Sequence, residues 1–328
     1  RSCLYRAAAR GQAKGDVTAV PVPDPRFDQI VEQVKPKKIT PATVVLHDNI
    51  EPIHGRPGKM FGQKFLDEAR KVELLLHVVR AFESPTAPYY ASIDPARDLA
   101  KVDEELVLTD LQVVENRLEK LAKSMNARNP GHMDYHEKML FERLKEPLET
   151  GTPIRDMELG EEDLTIVRNY QFLSAKPMVV AFNVGEADAA TVPDSIQPLI
   201  EKLNARGTPA FAVCAEIEDE VAQLDAADQP EFLAGLGLSE PASNRLIKAV
   251  YDAMGLITFF TAGENETRAW TLRKGSNALK AAGTIHTDIA KGFIRAEVVH
   301  WEDYNAHGSL DAAYHAGKMV LEGKDAVI

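Results

Sequence analysis

The chain of 328 residues is long enough for two or three domains and a sizeable buried core. Its 38 Lys plus Arg against 50 Asp plus Glu give a formal net charge of −12. This charge argues against generic nucleic-acid wrapping and against a sequence-specific DNA partner, although a local basic patch stays compatible with it. No apolar run approaches the roughly 20 residues that cross a bilayer, so the sequence predicts a soluble protein without a membrane partner. Cys3 and Cys214 have no ligand-spaced partners, which indicates neither a disulfide framework nor a zinc site and favours a reducing compartment.

The first fifteen residues are basic and alanine-rich, with Arg1, Arg6, Arg10 and Lys14 and no acid before Asp16. This composition is typical of a transit peptide, and an ordinary basic amphipathic helix also fits it. Because the chain begins with Arg rather than Met, we expect an upstream segment to have been cleaved or left out. The expected compartment is the cytoplasm or, alternatively, the mitochondrial matrix.

Residues 17–102 have the alternation of an α/β domain. The apolar runs "VTAVPV" and "ATVVLHD" predict two strands, and the proline-rich segment between them predicts a short helix. In "FLDEARKVELLLHVVRAF" a helix then leads into a buried strand.

A heptad stripe follows over residues 103–125, in which apolar residues recur at alternating spacings of four and three. Its members are Val107, Leu111, Val114, Leu118, Leu121 and Met125. After the break "NARNPGHMD", a returning helix that ends at Gly151 is predicted by Met133, Leu140, Leu144 and Leu148. We interpret residues 103–168 as an antiparallel helical hairpin inserted into the α/β domain. Two ordinary packed helices would give the same domain layout.

The α/β pattern resumes with the strand in "KPMVVAFNVGE", a helix, the strand in "TPAFAVCAEIE" and a helical stretch to about Met254. After Gly255 the sequence has short β-like runs, glycine-bearing turns and one short helix. These features predict a small separate α+β domain.

The two strands of this second half end in residues suited to hold a purine base. Asn183 is followed by Val184 and then by Glu186, in the spacing of the N-K-x-D motif with which P-loop GTPases read their base. The second strand ends about thirty residues later, before Ala215, and neighbouring strand ends meet at the carboxyl edge of such a sheet. An Asn amide can donate and accept at a purine edge, and the Ala215 backbone N–H could donate to an exocyclic acceptor. The alternative is two plain strand-to-loop transitions.

No catalytic residue is assigned from the sequence. The nine histidines form no H-E-x-x-H pair, and no G-x-S-x-G nucleophile signature is present. Asp24, Asp28 and Asp48 are candidates for metal or acid–base groups, although such aspartates more often cap helices and turns.

Taken in order, several segments resemble the Obg-like YchF ATPases. The similarity covers nearly the whole chain and is most specific in the last third. It implies a Ras-like P-loop domain, an inserted coiled-coil hairpin and a C-terminal α+β TGS domain. The expected boundaries are 1–102 with 169–254, 103–168, and 255–328, with the last TGS strand absent. The resembling segments include "PVPDPRFDQIVEQVKPKKITPAT", "HVVRAFE", "FNVGE", "VCAEIEDEVAQLD", "FLAGLGLSEPASNRLIKAVYDAMGLITFFTAGENETRAWTLRKGSNALKAAGTIHTDIAKGFIRAEVVHWEDY" and "AGKMVLEGKD".

The resemblance also implies which base is bound, because members of this family carry N-x-x-E and are associated with ATP rather than GTP. Asn183, Val184 and Glu186 match the base-reading loop, and Cys214 and Ala215 match its second wall. The implied cofactors are ATP or ADP, held weakly, with magnesium only in the company of the nucleotide.

The phosphate half departs from the family pattern. "RSCLYRAAA" resembles "KSTLFNAL", which places Arg1 on the P-loop lysine and Ser2 on the magnesium-binding hydroxyl. Between Ala9 and Val17 the chain is shorter than the family, where switch I and its threonine would lie. Asp48 is kept as a second candidate magnesium ligand, but Glu51 stands where the family has glycine.

These features predict a divergent YchF-like protein that is associated with the ribosome or translation machinery and whose nucleotide hydrolysis is impaired or lost. One alternative is an active ATPase whose P-loop and switch I are present in the full-length product. Another is a structural subunit of an organellar ribosome.

Overall fold

The computed structural model describes residues 2–9, 15–48, 61–85 and 91–328, and the chain forms two compact units. Unit 1 consists of Arg1–Gly11 and His47–Ala242, and unit 2 of Gln12–Leu46 and Ser243–Ile328. Residues 17–46, which the expected boundaries assign to the nucleotide-binding domain, therefore belong to the same unit as the C-terminal residues.

The described residues contain the following elements. The strands are β1 Val17–Pro21, β2 Ile39–Thr40, β3 Thr43–His47, β4 Leu75–Arg80, β5 Met178–Asn183, β6 Ala210–Val213, β7 Leu256–Thr261, β8 Thr267–Arg273, β9 Ala296–Val299 and β10 Met319–Glu322. The helices are α1 Ser2–Ala8, α2 Pro25–Val34, α3 Gln63–Lys71, α4 Pro95–Ala122, α5 Met133–Glu149, α6 Glu161–Tyr170, α7 Gln197–Ala205, α8 Ala215–Val221, α9 Gln229–Gly235, α10 Ala242–Ala253, α11 Ala278–Ile285, α12 Thr287–Lys291, α13 Trp301–His307 and α14 Leu310–His315. Within the described ranges, no helix has the length and apolar character needed to cross a membrane.

The centre of unit 1 is a parallel sheet in the order β4-β5-β6. Residues 179–182 of the middle strand β5 have no exposed surface, as their continuous apolar run predicts for a parallel strand covered on both faces. Phe182 and Val180 belong to the main core of this unit, which also includes Ile196 and Ile217 from the segments that flank the sheet.

The inserted hairpin consists of α4 and α5. Val107, Val114 and Leu121 of the heptad stripe are buried in or beside the hairpin core. Helix α4 begins at Pro95, earlier than the expected residue 103, because the Asp94 side chain accepts the N–H of Arg97 and Pro95 occupies the first turn.

Two methionines of the predicted hairpin pattern, Met125 at the end of the stripe and Met133 in the returning helix, are exposed, so neither packs in the hairpin core. Met125 is 73% exposed and lies beyond the last residue of α4. Met133 is 54% exposed and is the first residue of α5. Both therefore lie at the turn, where the opposite helix no longer covers the stripe.

A buried carboxylate joins α4 to the segment that leads into β5. Asp110 is 1% exposed and accepts the backbone N–H groups of Leu173, at 2.9 Å, and Ser174, at 2.6 Å. Leu106, one turn earlier, belongs to the main core of unit 1. The lower part of α4 is thus held by the α/β core as well as by its partner helix.

Unit 2 is built around the sheet β2-β8-β7, with the separate pairs β1-β3 and β10-β9. Residues 17–46 join this unit because β2 pairs in parallel with β8 and because Phe27 of α2 stacks on Phe260 at 5.8 Å. The Asp24 side chain accepts the N–H of Arg26 as the N-cap of α2, which agrees with the capping interpretation of this aspartate.

The C-terminal region has more helix than the single short helix that the sequence predicted. It contains α11, α12, α13 and α14. Side chains cap several of these short helices: Asn277 accepts the N–H of Lys280, His286 that of Asp288, and Ser309 that of Ala312.

His77 of β4 has a buried Nδ1 atom without a hydrogen-bond partner among the described residues. This burial lowers the pKa of His77 to about 4, with a further lowering by Arg155 that Asp103 and Asp98 oppose. Below about pH 6.5 the His77 imidazole becomes protonated in the unfolded chain, whereas in the folded protein it stays neutral until the pH approaches 4. We therefore expect the free energy of unfolding to fall by up to about 3 kcal/mol as the pH drops from about 6.5 to 4.

Denaturant titrations between pH 7 and pH 4.5 test this expectation on the wild type and on His77→Leu. The variant should show a flatter dependence of the unfolding free energy on pH. His136→Gln, which changes an exposed histidine, should keep the wild-type slope. Equal slopes for the wild type and His77→Leu would mean that His77 titrates as it does in the unfolded chain.

Candidate functional site

The candidate site lies at the carboxyl edge of the unit 1 sheet. The strand ends Arg80, Asn183 and Val213 are in register across β4, β5 and β6. Because the three strands are parallel, the loops that follow them leave the sheet at the same edge, where open α/β sheets bind ligands.

Asn183 connects two of these loops. Its Oδ1 accepts the backbone N–H of Ala215 at 2.9 Å, and its carbonyl oxygen accepts the N–H of Ala81 at 2.8 Å. The Ala215 N–H, which the sequence suggests as a donor to an exocyclic acceptor, is bonded to Asn183 in this structure, and its contact with a base stays a prediction. Because Oδ1 already accepts a hydrogen bond, the NH₂ group is the part of the Asn183 amide that can bond to a ligand, and it acts as a donor.

The residues after Asn183 have different environments. Val184 is 2% exposed, lies in the main core and donates its N–H to the carbonyl of Val213 at 2.9 Å. Glu186 begins a short 3₁₀ turn, Glu186–Asp188, and is exposed. The valine thus anchors the loop, whereas the carboxylate extends into solvent.

Cys214 and Ala215 form the start of α8. Cys214 is the N-cap residue and is 6% exposed, and Ala215 is 3% exposed. Burial raises the pKa of the Cys214 thiol, so this side chain stays a neutral, apolar wall at neutral pH.

Phe82 was missed by the sequence reasoning and lies beside this loop. A Cβ atom on Gly185 would stand 3.6 Å from the Phe82 Cβ. The guanidinium of Arg80 lies 4.6 Å from the Phe82 ring centroid, and its Nε donates to the Phe82 carbonyl at 2.9 Å. The available signal was the aromatic residue just beyond β4 in "HVVRAFE", at the same edge as "FNVGE".

The phosphate half is only partly within the described residues. Helix α1 packs on α8, with Leu4 buried and an ion pair between Arg6 and Asp219 at 2.7 Å. Arg1, residues 10–14 and Glu51 lie outside the described residues, as does the Ser2 side chain. Asp48 follows β3 and is partly exposed.

Within the ranges that the structure describes, no group of three or more His, Cys, Asp or Glu could hold a metal ion. A P-loop magnesium site is not such a group, because one hydroxyl, one carboxylate and phosphate oxygens supply its ligands. The pairing of Ser2 and Asp48 therefore stays a prediction.

A cavity of about 510 Å³ lies elsewhere in unit 1 and is lined by Gly151, Thr152, Pro153, Asp156 and Arg206. Arg206 follows α7 and precedes β6, so this cavity belongs to the amino edge of the sheet. It does not include any of the residues predicted to bind a base.

Comparisons with known proteins agree on one family. Residues 256–328 match the family model described as "YchF-GTPase_C: Protein of unknown function (DUF933)". The chain is 37% identical over 317 residues to the "Ribosome-binding ATPase YchF" of Bacillus subtilis (strain 168), which covers 95% of this chain and 86% of that protein. It is 40% identical over 313 residues to the protein of the same name from Haemophilus influenzae, covering 94% and 85%.

A solved structure also matches. The chain superposes on the "Structure of the Schizosaccharomyces pombe YchF GTPase" with a TM-score of 0.88 and 29% sequence identity, over 100% of this chain and 92% of that one.

Proposed function

Because the chain belongs to the YchF family, we propose that it is a ribosome-associated nucleotide-binding protein with an adenine-type base pocket and impaired or lost hydrolysis. The observation that carries the nucleotide part is the hydrogen bond from Ala215 to Asn183, which fixes a base-reading amide at the carboxyl edge of the parallel sheet. The ribosomal part rests on the relatives, which are named as ribosome-binding ATPases.

The fold class predicted from the sequence is confirmed: a Ras-like P-loop domain with a helical insert and a C-terminal α+β domain. We propose that residues 1–102 and 169–254 form the nucleotide-binding domain, residues 103–168 the inserted hairpin and residues 255–328 the C-terminal domain. Residues 17–46 lie within the first of these ranges but pack in the same compact unit as the C-terminal residues.

The chemistry of the loop after β5 supports adenine. The aspartate of N-K-x-D accepts from the N1–H and 2-amino groups of guanine, and adenine lacks that pair of donors. Here Glu186 replaces the aspartate with a longer, exposed side chain, and the buried Val184 replaces the lysine. The NH₂ group of Asn183 remains to donate to a purine nitrogen, beside the neutral wall of Cys214.

The other nucleotide contacts are proposed from the sequence. Arg1 and Ser2 would meet the phosphates, and Ser2 with Asp48 would hold magnesium when a nucleotide is bound. A bound magnesium ion would neutralise charge on the phosphates. Because Arg1 stands at the lysine position and Glu51 at a glycine position, we expect ATP and ADP to be bound weakly.

We propose the cytoplasm as the compartment, with the mitochondrial matrix as the alternative. The second candidate function is an active ATPase, and the name that the relatives carry favours it. Measuring phosphate release distinguishes the two functions.

Nucleotide selectivity provides a direct test of the base pocket. Titration with fluorescent ADP and GDP analogues should show tighter binding of ADP, because Glu186 is not placed like the guanine-reading aspartate. Asn183→Ala should weaken ADP binding by about tenfold, since it removes both the donor to the base and the link to Ala215. The nearby exposed Asp188→Ala should leave ADP binding unchanged.

Tighter binding of GDP than ADP would overturn the base assignment. Equal ADP binding by the wild type and Asn183→Ala would place the nucleotide elsewhere on the chain.

A further inference from the structure

The end of the helical hairpin has an unusual charge for this protein. Residues 120–133, which we call the hairpin tip, contain Lys120, Lys123 and Arg128 and no Asp or Glu. The whole chain has a formal net charge of −12, so this acid-free stretch is a local reversal of sign. Lys120 and Arg128 are exposed and have no ion-pair partner among the described residues.

The remaining cation of the tip is also available. Lys123 is 77% exposed and pairs only with the equally exposed Glu119, at 3.3 Å. An exposed i,i+4 pair contributes a few tenths of a kcal/mol, so a stronger anion can displace Glu119 at little cost. The exposed Asn126 adds a neutral hydrogen-bonding group between these cations.

Two carboxylates that follow the tip, Asp134 and Glu137, are bonded within the hairpin. Arg117 pairs with Asp134 at 3.0 Å and with Glu137 at 2.6 Å. Ser124 donates to Asp134 at 2.8 Å, and the hydroxyl of Tyr170 donates to Glu137 at 2.9 Å. These side chains therefore join the elements of the hairpin, and Arg117 compensates one of their two negative charges.

The backbone of the tip makes local hydrogen bonds to its own side chains. The Asn129 side chain accepts the N–H of Gly131 at 3.0 Å, and the His132 Nδ1 accepts the N–H of Asp134 at 3.1 Å as the cap of α5. Ala127 is 4% exposed and anchors the loop from inside. Backbone groups that are already hydrogen-bonded lose less conformational entropy when a loop binds a partner.

From this arrangement we propose that the hairpin tip is an RNA-binding surface that contacts the phosphate backbone of a structured RNA. The proposal rests on the proposed ribosome association, since a ribosome presents such RNA. Exposed cations on a stretch of chain without acidic residues match a dense array of anionic oxygens, and nucleic acid carries the densest regular one. The chain-wide negative charge confines such a contact to the tip and opposes wrapping around RNA elsewhere.

The test compares two triple variants of the full chain. The tip variant is Lys120→Gln, Lys123→Gln and Arg128→Gln. The control variant removes the same number of exposed cations from unit 2, by Lys280→Gln, Lys291→Gln and Arg295→Gln. Binding is measured by co-sedimentation with purified 70S ribosomes and by filter binding to deproteinised ribosomal RNA over a series of salt concentrations. Circular dichroism checks that both variants keep the wild-type helix content.

We expect the tip variant to bind ribosomes and naked RNA at least tenfold more weakly than the wild type. The slope of log K against log salt should fall by about 2 to 3, because each phosphate contact contributes close to one. The control variant should bind within about twofold of the wild type.

Wild-type binding by the tip variant, or an equal loss in both variants, would overturn the proposal. Loss of ribosome binding with unchanged binding to naked RNA would overturn it too, because the tip would then contact an acidic protein surface. Failure of the wild type to sediment with ribosomes would count against the proposed function alone, because binding to naked RNA tests the tip separately.

Discussion

A polypeptide of these 328 residues, given ATP and magnesium, is expected to release phosphate no faster than a protein-free control. Phosphoryl transfer depends on positioning and on charge stabilisation by the P-loop backbone, its lysine and a bound magnesium ion. In the printed sequence Arg1 takes the place of the lysine, and its planar guanidinium fits between phosphates less well than a compact ammonium. Glu51 places a carboxylate where the family has glycine, which repels a γ-phosphate. Losing one such group costs on the order of a thousandfold in rate.

Phosphate release is measured on the purified chain beside two neighbouring variants. Ser2→Ala removes the hydroxyl proposed to bind magnesium, whereas Cys3→Ala leaves it in place. Turnover clearly above the protein-free control that Ser2→Ala abolishes and Cys3→Ala keeps would demonstrate a working phosphate site. That result would replace the impaired-hydrolysis proposal with the active ATPase.

Strands and helices with strong local patterns were predictable. The apolar run of β5 indicated a strand buried on both faces, and the heptad stripe of α4 indicated a partner helix. The pairing of β2 with β8 was not predictable, because it joins residues more than 220 positions apart and β2 has only two residues. No local pattern specifies such a contact.

Helix ends were predicted less well than helix centres. The sequence did contain a signal for the early start of α4, since Asp94 before Pro95 is typical of a helix N-terminus. The predicted boundary was nevertheless placed at residue 103, because the heptad stripe begins later than the helix. The positions of Met125 and Met133 continue the apolar spacing, yet both lie outside the paired part of the hairpin. Spacing alone does not show where two helices stop facing each other.

The candidate site was predictable to the level of which strand ends converge. Parallel strands bring Asn183 and Ala215 to one edge, so their proximity follows from the fold. Their direct hydrogen bond depends on the side-chain torsions of Asn183, which the sequence does not fix.

The burial of two carboxylates could not be predicted from the hydrophobic pattern of the sequence either. Asp110 and Glu218 lie on helices where charged residues usually face solvent, yet each is buried and accepts a backbone N–H of a separate segment. Glu218, one turn into the helix that begins beside the base loop, accepts the N–H of Ala242 at 2.7 Å. Such contacts satisfy donors that would otherwise be buried without a partner.

The core of the hairpin should be far less tolerant of charge than its outer face. Val114 has no exposed surface and packs in the hairpin core, whereas Leu108 on the same helix is 53% exposed. Val114→Asp places an unpaired carboxylate among apolar side chains, and we expect it to lower the free energy of unfolding of unit 1 by about 3 to 5 kcal/mol. Leu108→Asp should change it by no more than about 0.5 kcal/mol.

The two tryptophans, Trp270 and Trp301, both belong to unit 2, so their fluorescence reports on that unit alone. Denaturation is therefore followed by circular dichroism for helix content and by tryptophan fluorescence for unit 2. If the hairpin is a separately inserted element, the Val114→Asp protein should show a weaker helix signal in circular dichroism and new protease cleavage within residues 95–170. The denaturation midpoint followed by tryptophan fluorescence should stay unchanged. Asp110 and Leu106 tie α4 to the unit 1 core, so the damage can extend into that core without reaching unit 2. A matching shift of the tryptophan transition would show that the two units unfold together and would contradict the hairpin as an independent insertion.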